Sequence, residues 1–214
     1  MKNHFVLFDL DGTLTDSSKG IVNSILYALD KMGVKEEDSG RLRSYVGPSL
    51  NETFRNNYFS NDKDCQQAIK LYREYYAKKG IFENTLYKDI LQVLKTITDS
   101  GGVIALATAK PSYFAKIIIN HFGINNYFNS IVGSHLRGTR TDKNDIIFEV
   151  LDQLGFPDSK DVYMVGDRKY DVLGGKSHGL KTIGVEYGYG TDGELLKASP
   201  DFIIQSPIQI LECL

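Results

Sequence analysis

The sequence predicts an α/β protein built on a parallel sheet, with a block of helices inserted after the first strand. Three observations lead there. The chain opens on a short apolar run, "FVLFDL", bounded by a turn, which marks a buried strand. From Ser17 to about Lys79 no comparable strand follows, only apolar residues at helical spacing. From about Ile90 onward helical and strand patterns alternate, the rhythm of βαβ units whose strands pair in parallel with helices on both faces.

Each element has its own signal. The first strand runs near Phe5 to Leu10. In the helical block, "GIVNSILYALDKMG" sets Ile21, Ile25 and Leu29 on one face, with Ser17 or Ser18 as N-cap and Gly33 as the stop. "DCQQAIKLYREYYAKKG" keeps the same period and ends at Gly80. "LQVLKTITDSGG" reads as a helix, "VIALAT" as a strand, "PSYFAKIIINHFG" as a helix beginning at Pro111, and "SIVGS" as a strand. "DKNDIIFEVLDQLG" is then a helix, "DVYMVGD" a strand, "KYDVLGGKSHG" a helix and "KTIGVEY" a strand. The expected division is an α/β core of residues 1–15 and 83–214 with a helical domain of residues 16–82.

Composition narrows the partners. Of 214 residues, 42% are hydrophobic and 24% charged, as in an ordinary soluble globular protein. Lys plus Arg total 25 against 27 for Asp plus Glu, a net charge of −2 that is too balanced for a nucleic-acid or membrane-surface protein and leaves a small molecule as the expected partner. Cys65 and Cys213 have neither metal-ligand spacing nor the makings of a disulfide framework, which suits a reducing cytoplasm. The longest apolar stretch, "VIALATA", is far shorter than the roughly 20 residues a membrane-spanning helix needs.

Ligands of open α/β sheets bind beyond the carboxyl ends of the strands. The polar residues there are Asp9 and Asp11 after the first strand, Thr108 and Lys110 after "VIALA", and Asp167 and Asp171 after "VYMVG", with Lys143 opening the helix before that last strand. Phosphoryl transfer needs such a set. A phosphate approaching a carboxylate meets like-charge repulsion of roughly 4 kcal/mol at 4 Å for an effective dielectric near 20, so cations must neutralise the site. Mg²⁺ takes one or two carboxylates plus phosphate oxygen and water, and Asp9 and Asp167 can supply them. Lys143 offers a fixed positive charge, Thr108 a hydroxyl donor, and the helix from Pro111 its free N–H groups. Asp9 and Asp11 lean to the same side of an extended chain until the turn at Gly12 lets them diverge. One carboxylate can then attack phosphorus while the other protonates the leaving oxygen and later activates water.

Other readings of these stretches fail on their details. As an EF-hand loop, "DLDGTLTDSSKG" has Leu14 where glycine belongs, Gly20 where glutamate belongs, and a strand before it. A plain hairpin turn at "DG" leaves the other strand-end groups unexplained. "GYGTDG" has the G-x-G-x-x-G spacing at Gly188, Gly190 and Gly193, after a strand and before an expected helix, but too little chain follows for another βαβ unit and no suitable acid stands about twenty residues on, so it reads as a turn and not as an NAD site.

The motifs resemble the haloacid dehalogenase superfamily. "DLDGTLTD" matches its first motif, D-x-D-G-T-[LV]-x-D, and "ATAK", Lys143 in "RTDKND" and "VGDRKYD" fall at its second, third and fourth. The likeness covers essentially the whole chain and is greatest to the phosphoglycolate phosphatase-like branch, which includes nucleotidases. It implies a Rossmann-like parallel-sheet core with an inserted all-helical cap domain. It also implies Asp9 as nucleophile, Asp11 as general acid/base, and Mg²⁺ held by Asp9, Asp167 and the Asp11 main-chain carbonyl, with Asp171 orienting Lys143 and the metal shell. Thr108, the Ala109 N–H, Lys110 and Lys143 would meet the phosphate. Ala109 stands where many relatives carry Asn or Ser, so only its backbone can contribute.

Substrate choice falls to the helical block, where "RSYVGPSL" offers Arg43, Tyr45 and Gly47, while "GTRTDK" adds Arg140 beside Lys143. The expected activity is Mg²⁺-dependent hydrolysis of a small phosphate monoester through an aspartyl-phosphate, of phosphoglycolate phosphatase type. The alternatives are a 5'-nucleotidase or other monoester specificity and a β-phosphoglucomutase-like phosphomutase. A non-enzymatic phosphoacceptor switch ranks last, because the inserted helical block suits a lid that sequesters a substrate.

Overall fold

The computed structural model describes residues 4–36, 38, 41–42, 45–46, 50–136 and 142–214. The chain divides into two units, residues 1–16 with 86–214, and residues 17–85. The first is α/β. Its six strands are β1 (Phe5–Phe8), β4 (Val103–Pro111), β5 (Phe128–Ser134), β6 (Val162–Gly166), β7 (Lys181–Val185) and β8 (Phe202–Ile204), in the order β5-β4-β1-β6-β7-β8. Every neighbouring pair in this sheet is parallel. Two-residue strands β2 (Thr15–Asp16) and β3 (Thr85–Leu86) form a separate pair.

Burial explains the parallel arrangement. Leu7 stands in register with Ala105 and Met164, and these three join Ile146, Ile147 and Val150 in one apolar cluster. Val6, Phe8, Ile104, Leu106 and Val165 are also buried, although alternation points them to the other face. Strands buried on both sides need helical layers on both. These are α4 (Ile90–Asp99) and α5 (Ser112–His121) between strands, α6 (Lys143–Gln153), α7 (Lys169–Ser177), and the short α8 (Glu194–Ala198) and α9 (Ile210–Cys213). Pro111 closes β4 and caps α5, so that helix begins one residue later than the sequence suggests.

The second unit is helical: α1 (Ser18–Lys31), α2 (Leu50–Asn57) and α3 (Asp62–Lys78). Ile25, Leu29, Phe54, Cys65, Ala68 and Tyr72 are buried in it. Ser17 occupies the N-cap of α1 without a side-chain capping bond, whereas Asn61 caps α3 by accepting the Asp64 N–H at 2.9 Å.

β1 lies at the middle of the sheet with β4 on one side and β6 on the other, so the chain reverses its direction of travel across the sheet there. The ends of these three strands meet at the switch point where α/β sheets bind ligands. Leu7 is fully buried in β1, so Leu7→Ala should destabilise the core unit by about 2–5 kcal/mol. Denaturant unfolding would show this as a lowered midpoint at unchanged slope; a midpoint like that of the unaltered chain would contradict the packing described.

Candidate active site

The site begins where β1 stops. The Asp9 N–H donates to Val165 O at 2.9 Å, so the first carboxylate is still held by the sheet. Residues 10–15 then fold into a tight turn, with the Leu14 N–H donating to Leu10 O at 2.9 Å and the Gly12 N–H to Thr15 O at 2.8 Å. Gly12 has φ +86, and a side chain there would strike the Asp167 carboxylate. That backbone turn carries Asp11 away from Asp9.

Lys143 organises the acids. It is the first residue of α6, where a positive charge opposes the helix dipole, yet its side chain is only 6% exposed. Its Nζ donates to Asp9 Oδ1 at 2.8 Å and to Ala107 O at 2.9 Å, and pairs with Asp171 Oδ1 at 2.6 Å. Three partners match the three hydrogens of an ammonium group. Burial alone would lower its pKa, but the carboxylates of Asp171 and Asp9 outweigh burial and raise it.

Asp171 sits in the first turn of α7 and accepts the Arg168 N–H on Oδ2 at 3.1 Å, so both its oxygens are engaged. Burial raises it to about 6 against the pull of Lys143, with Asp9 adding to the rise. Asp167 is fully buried after β6. Its Oδ2 accepts the Tyr189 N–H at 2.7 Å, while Oδ1 has no hydrogen-bond partner among the described residues. Burial first, then Asp9 and Asp171, push Asp167 well above the ordinary carboxylate range. Carboxylate oxygens of Asp9, Asp167 and Asp171 all lie within 4.8 Å of one another.

On the β4 side, Lys110 Nζ donates to Asp11 Oδ2 at 2.6 Å, and both side chains are largely buried. Thr108 is buried within β4, not at a helix start, and its Oγ1 accepts the Lys110 N–H at 3.2 Å, which leaves the hydroxyl hydrogen to donate elsewhere. A register irregularity between Thr108 and Pro111 lifts 109–110 out of the ladder. Four carboxyl groups and two ammonium groups thus converge; with every acid ionised they leave two negative charges, which one divalent cation would balance.

Asp9, Asp11, Thr108, Lys110, Lys143, Asp167 and Asp171 are therefore gathered in one unit at the strand ends, with Ala109 between two of them. Tyr45 belongs to the helical unit, where it is buried and takes a 3.3 Å hydrogen bond from the Tyr58 hydroxyl. Arg43, Gly47 and Arg140 lie outside the described residues. Sequence reading missed the loop after β7. Its Gly-Tyr-Gly, taken for a plain turn, supplies the N–H that fixes Asp167, and the only signal was the glycine spacing itself.

The chain is similar to known proteins over most of its length. Residues 6–185 match the family model described as haloacid dehalogenase-like hydrolase. A 5'-nucleotidase of Pseudomonas aeruginosa is 38% identical over 91% of this chain and 88% of its own. A phosphoglycolate phosphatase of Vibrio vulnificus is 29% identical over 97% and 94%. A solved structure from Clostridium difficile is 45% identical over 100% of both chains, with a TM-score of 0.94.

The raised acids set a pH dependence. Between about pH 4 and about pH 6 the folded protein retains protons on Asp171 and Asp167 that the unfolded chain, titrating near 3.8, has released. Stability in EDTA should accordingly fall as pH rises through this window. Glu194, held down to about 2 from an ordinary 4.5, acts in the opposite sense, at the acid end of this window and below it, so the upper half of the window is the part that reports the raised acids. Melting temperatures in EDTA across the window check the sign; a rise would contradict the assignment of these acids as buried and under-compensated.

Proposed function

Because this chain belongs to the haloacid dehalogenase-like hydrolases and is a phosphatase among them, we propose that it hydrolyses small phosphate monoesters through a phosphate covalently held on Asp9. The observation that carries this reading is the pairing of Lys143 Nζ with Asp9 Oδ1 at 2.8 Å inside a cluster of buried acids. Asp9, buried just after the central strand, is held by Lys143, while Asp11 in the following turn can reach a leaving group.

The donor set suits Mg²⁺: Asp9 and Asp167, the latter with a buried and unpartnered oxygen, would hold it together with the Asp11 main-chain carbonyl. Asp171 is excluded from that role by its bonds to Lys143 and Arg168. When bound, the ion supplies positive charge against the phosphoryl oxygens. The protein's own groups do the rest. An Asp9 oxygen forms the bond to phosphorus as the bond to the ester oxygen breaks, and Asp11 delivers its proton to that oxygen. Water then attacks phosphorus, Asp11 takes the proton back, and the Asp9–phosphorus bond breaks to release phosphate. Thr108 and the Ala109 N–H offer donors to the phosphoryl oxygens, and Lys143 supplies positive charge beside them. Lys110 holds Asp11 on the β4 side between the two steps.

For the organic part, the greater identity to a 5'-nucleotidase than to a phosphoglycolate phosphatase favours nucleoside 5'-monophosphates over the phosphoglycolate that the sequence reading puts first. A panel of phosphate esters, assayed for released phosphate with Mg²⁺ and with EDTA, tests both parts. Nucleoside 5'-monophosphates should be turned over with Mg²⁺ and left intact in EDTA. Undiminished turnover by metal-stripped protein would overturn the metal reading, and preferred release from phosphoglycolate the substrate reading. Asp11→Asn should lose about 10²- to 10⁴-fold in turnover of alkyl esters and least with p-nitrophenyl phosphate, whose leaving oxygen needs little protonation. Equal losses on both substrates would deny Asp11 the role of acid.

A further inference from the structure

The loop after β7 makes contacts that a plain turn has no need of. Tyr187 donates its hydroxyl to Thr13 O at 3.0 Å, Tyr189 donates its hydroxyl to Asp16 Oδ1 at 2.8 Å, and the Tyr189 N–H holds Asp167 Oδ2 at 2.7 Å. A Cβ on Gly188 would collide with Asp167 and the Gly12 carbonyl, and one on Gly190 would lie 2.5 Å from Asp167 O. The loop backbone is pressed against both the turn that bears Asp11 and the residue after β6.

At its near end Tyr187 also packs edge-on against the Tyr87 ring, with centroids 4.8 Å apart. Toward the far end a cleft of about 340 Å³, lined by Val185, Gly190, Thr191, Leu195 and Leu196 among others, runs along the loop. What ties that far end down is Glu194, at the start of α8. Glu194 Oε1 accepts Arg168 Nε at 2.9 Å and the Lys169 N–H at 2.9 Å, and Oε2 accepts Thr191 Oγ1 at 3.0 Å and the Thr191 N–H at 3.3 Å. One carboxylate therefore joins the far end of the loop to the residue that follows Asp167. Burial would raise Glu194, but its bonds to Arg168 and to these N–H groups hold it down to about 2.

We infer that Arg168 and Glu194 are positioning residues for the divalent cation: their ion pair clamps the 187–193 loop so that Tyr189 occupies one oxygen of Asp167 and leaves the other for the metal. This rests on the reading of Asp167 as a metal ligand. Outer contacts of this kind set the orientation of a ligand and change metal affinity when lost.

The sign of the effect separates a clamp from mere charge. Arg168 is a positive group beside Asp167, so on electrostatics alone Arg168→Gln would tighten Mg²⁺ binding, while Glu194→Gln would weaken it. A clamp predicts that both weaken it. Calorimetric titration of Mg²⁺ into metal-stripped protein should show each variant losing about 10-fold or more in affinity. The double variant should lose little beyond the worse single one, because both break the same link. KM for p-nitrophenyl phosphate at saturating Mg²⁺ should stay unchanged. Circular dichroism in EDTA confirms that the variants fold; should they not, the surface change Thr191→Val removes one bond to Glu194 and should cost roughly 2- to 10-fold in Mg²⁺ affinity. Asp167→Asn is the control. If it lowers Mg²⁺ affinity while Arg168→Gln leaves affinity unchanged or tightens it, the clamp is wrong and the metal reading stands. If Asp167→Asn binds Mg²⁺ as the unaltered protein does, the metal reading itself is wrong and the clamp falls with it.

Discussion

A buried ammonium group holds this site together. Two carboxylates 4.8 Å apart repel by about 3.5 kcal/mol at an effective dielectric near 20, and three buried ones meet here. Lys143 offsets that repulsion by bonding Asp9 and Asp171 at once, with the Ala107 carbonyl taking its third hydrogen. Its position at the start of α6 works against the helix dipole, which makes the placement a cost in stability accepted for the chemistry. Removing Lys143 would leave two buried carboxylates uncompensated, a far larger loss than that of a surface ion pair. Burial still holds Asp167 and Asp171 above the ordinary carboxylate range with Lys143 in place, and Asp9 adds to the rise in both.

The sheet order makes the convergence possible. β1 is central, so whatever follows it lies between the ends of β4 and β6, and groups far apart in sequence come within bonding distance. The pairing of Lys143 with Asp9 spans 134 residues and that of Lys110 with Asp11 spans 99. Local structure then gives each group its role. Asp9 follows β1 and is still bonded to β6 through its N–H, Asp11 stands just before a left-handed glycine and is held by Lys110, and Thr108 stands just before β4 leaves its register. Such placement of charge before the substrate arrives is what phosphoryl transfer asks of a protein.

Much of this was legible because apolar runs ending in acids have few other uses. "FVLF", "VIALA" and "VYMVG" are buried on both faces, and each hands over to a polar group at the switch point. What escaped notice has physical reasons. β8 is three residues long with Phe202 and Ile203 partly exposed, so neither length nor alternation marked it. The bond from Lys110 to Asp11 depends on the register of β4 against β1, which no local pattern encodes. The hold of Tyr189 on Asp167 is made by a backbone N–H, a group that every residue but proline carries, and only the crowding of Gly188 and Gly190 against Asp167 betrays it.

The central claim is that Asp9, fixed by Lys143, is the atom donor to phosphorus. The direct measurement is peptide mapping by mass spectrometry after Asp11→Asn protein is mixed with p-nitrophenyl phosphate and quenched in acid. A phosphate-sized mass increase on the peptide of residues 4–20, located at Asp9 and lost in alkali as an acyl phosphate would be, is the predicted result. Phosphate found elsewhere in the chain, or an equal adduct in protein that also carries Asp9→Asn, would contradict the account.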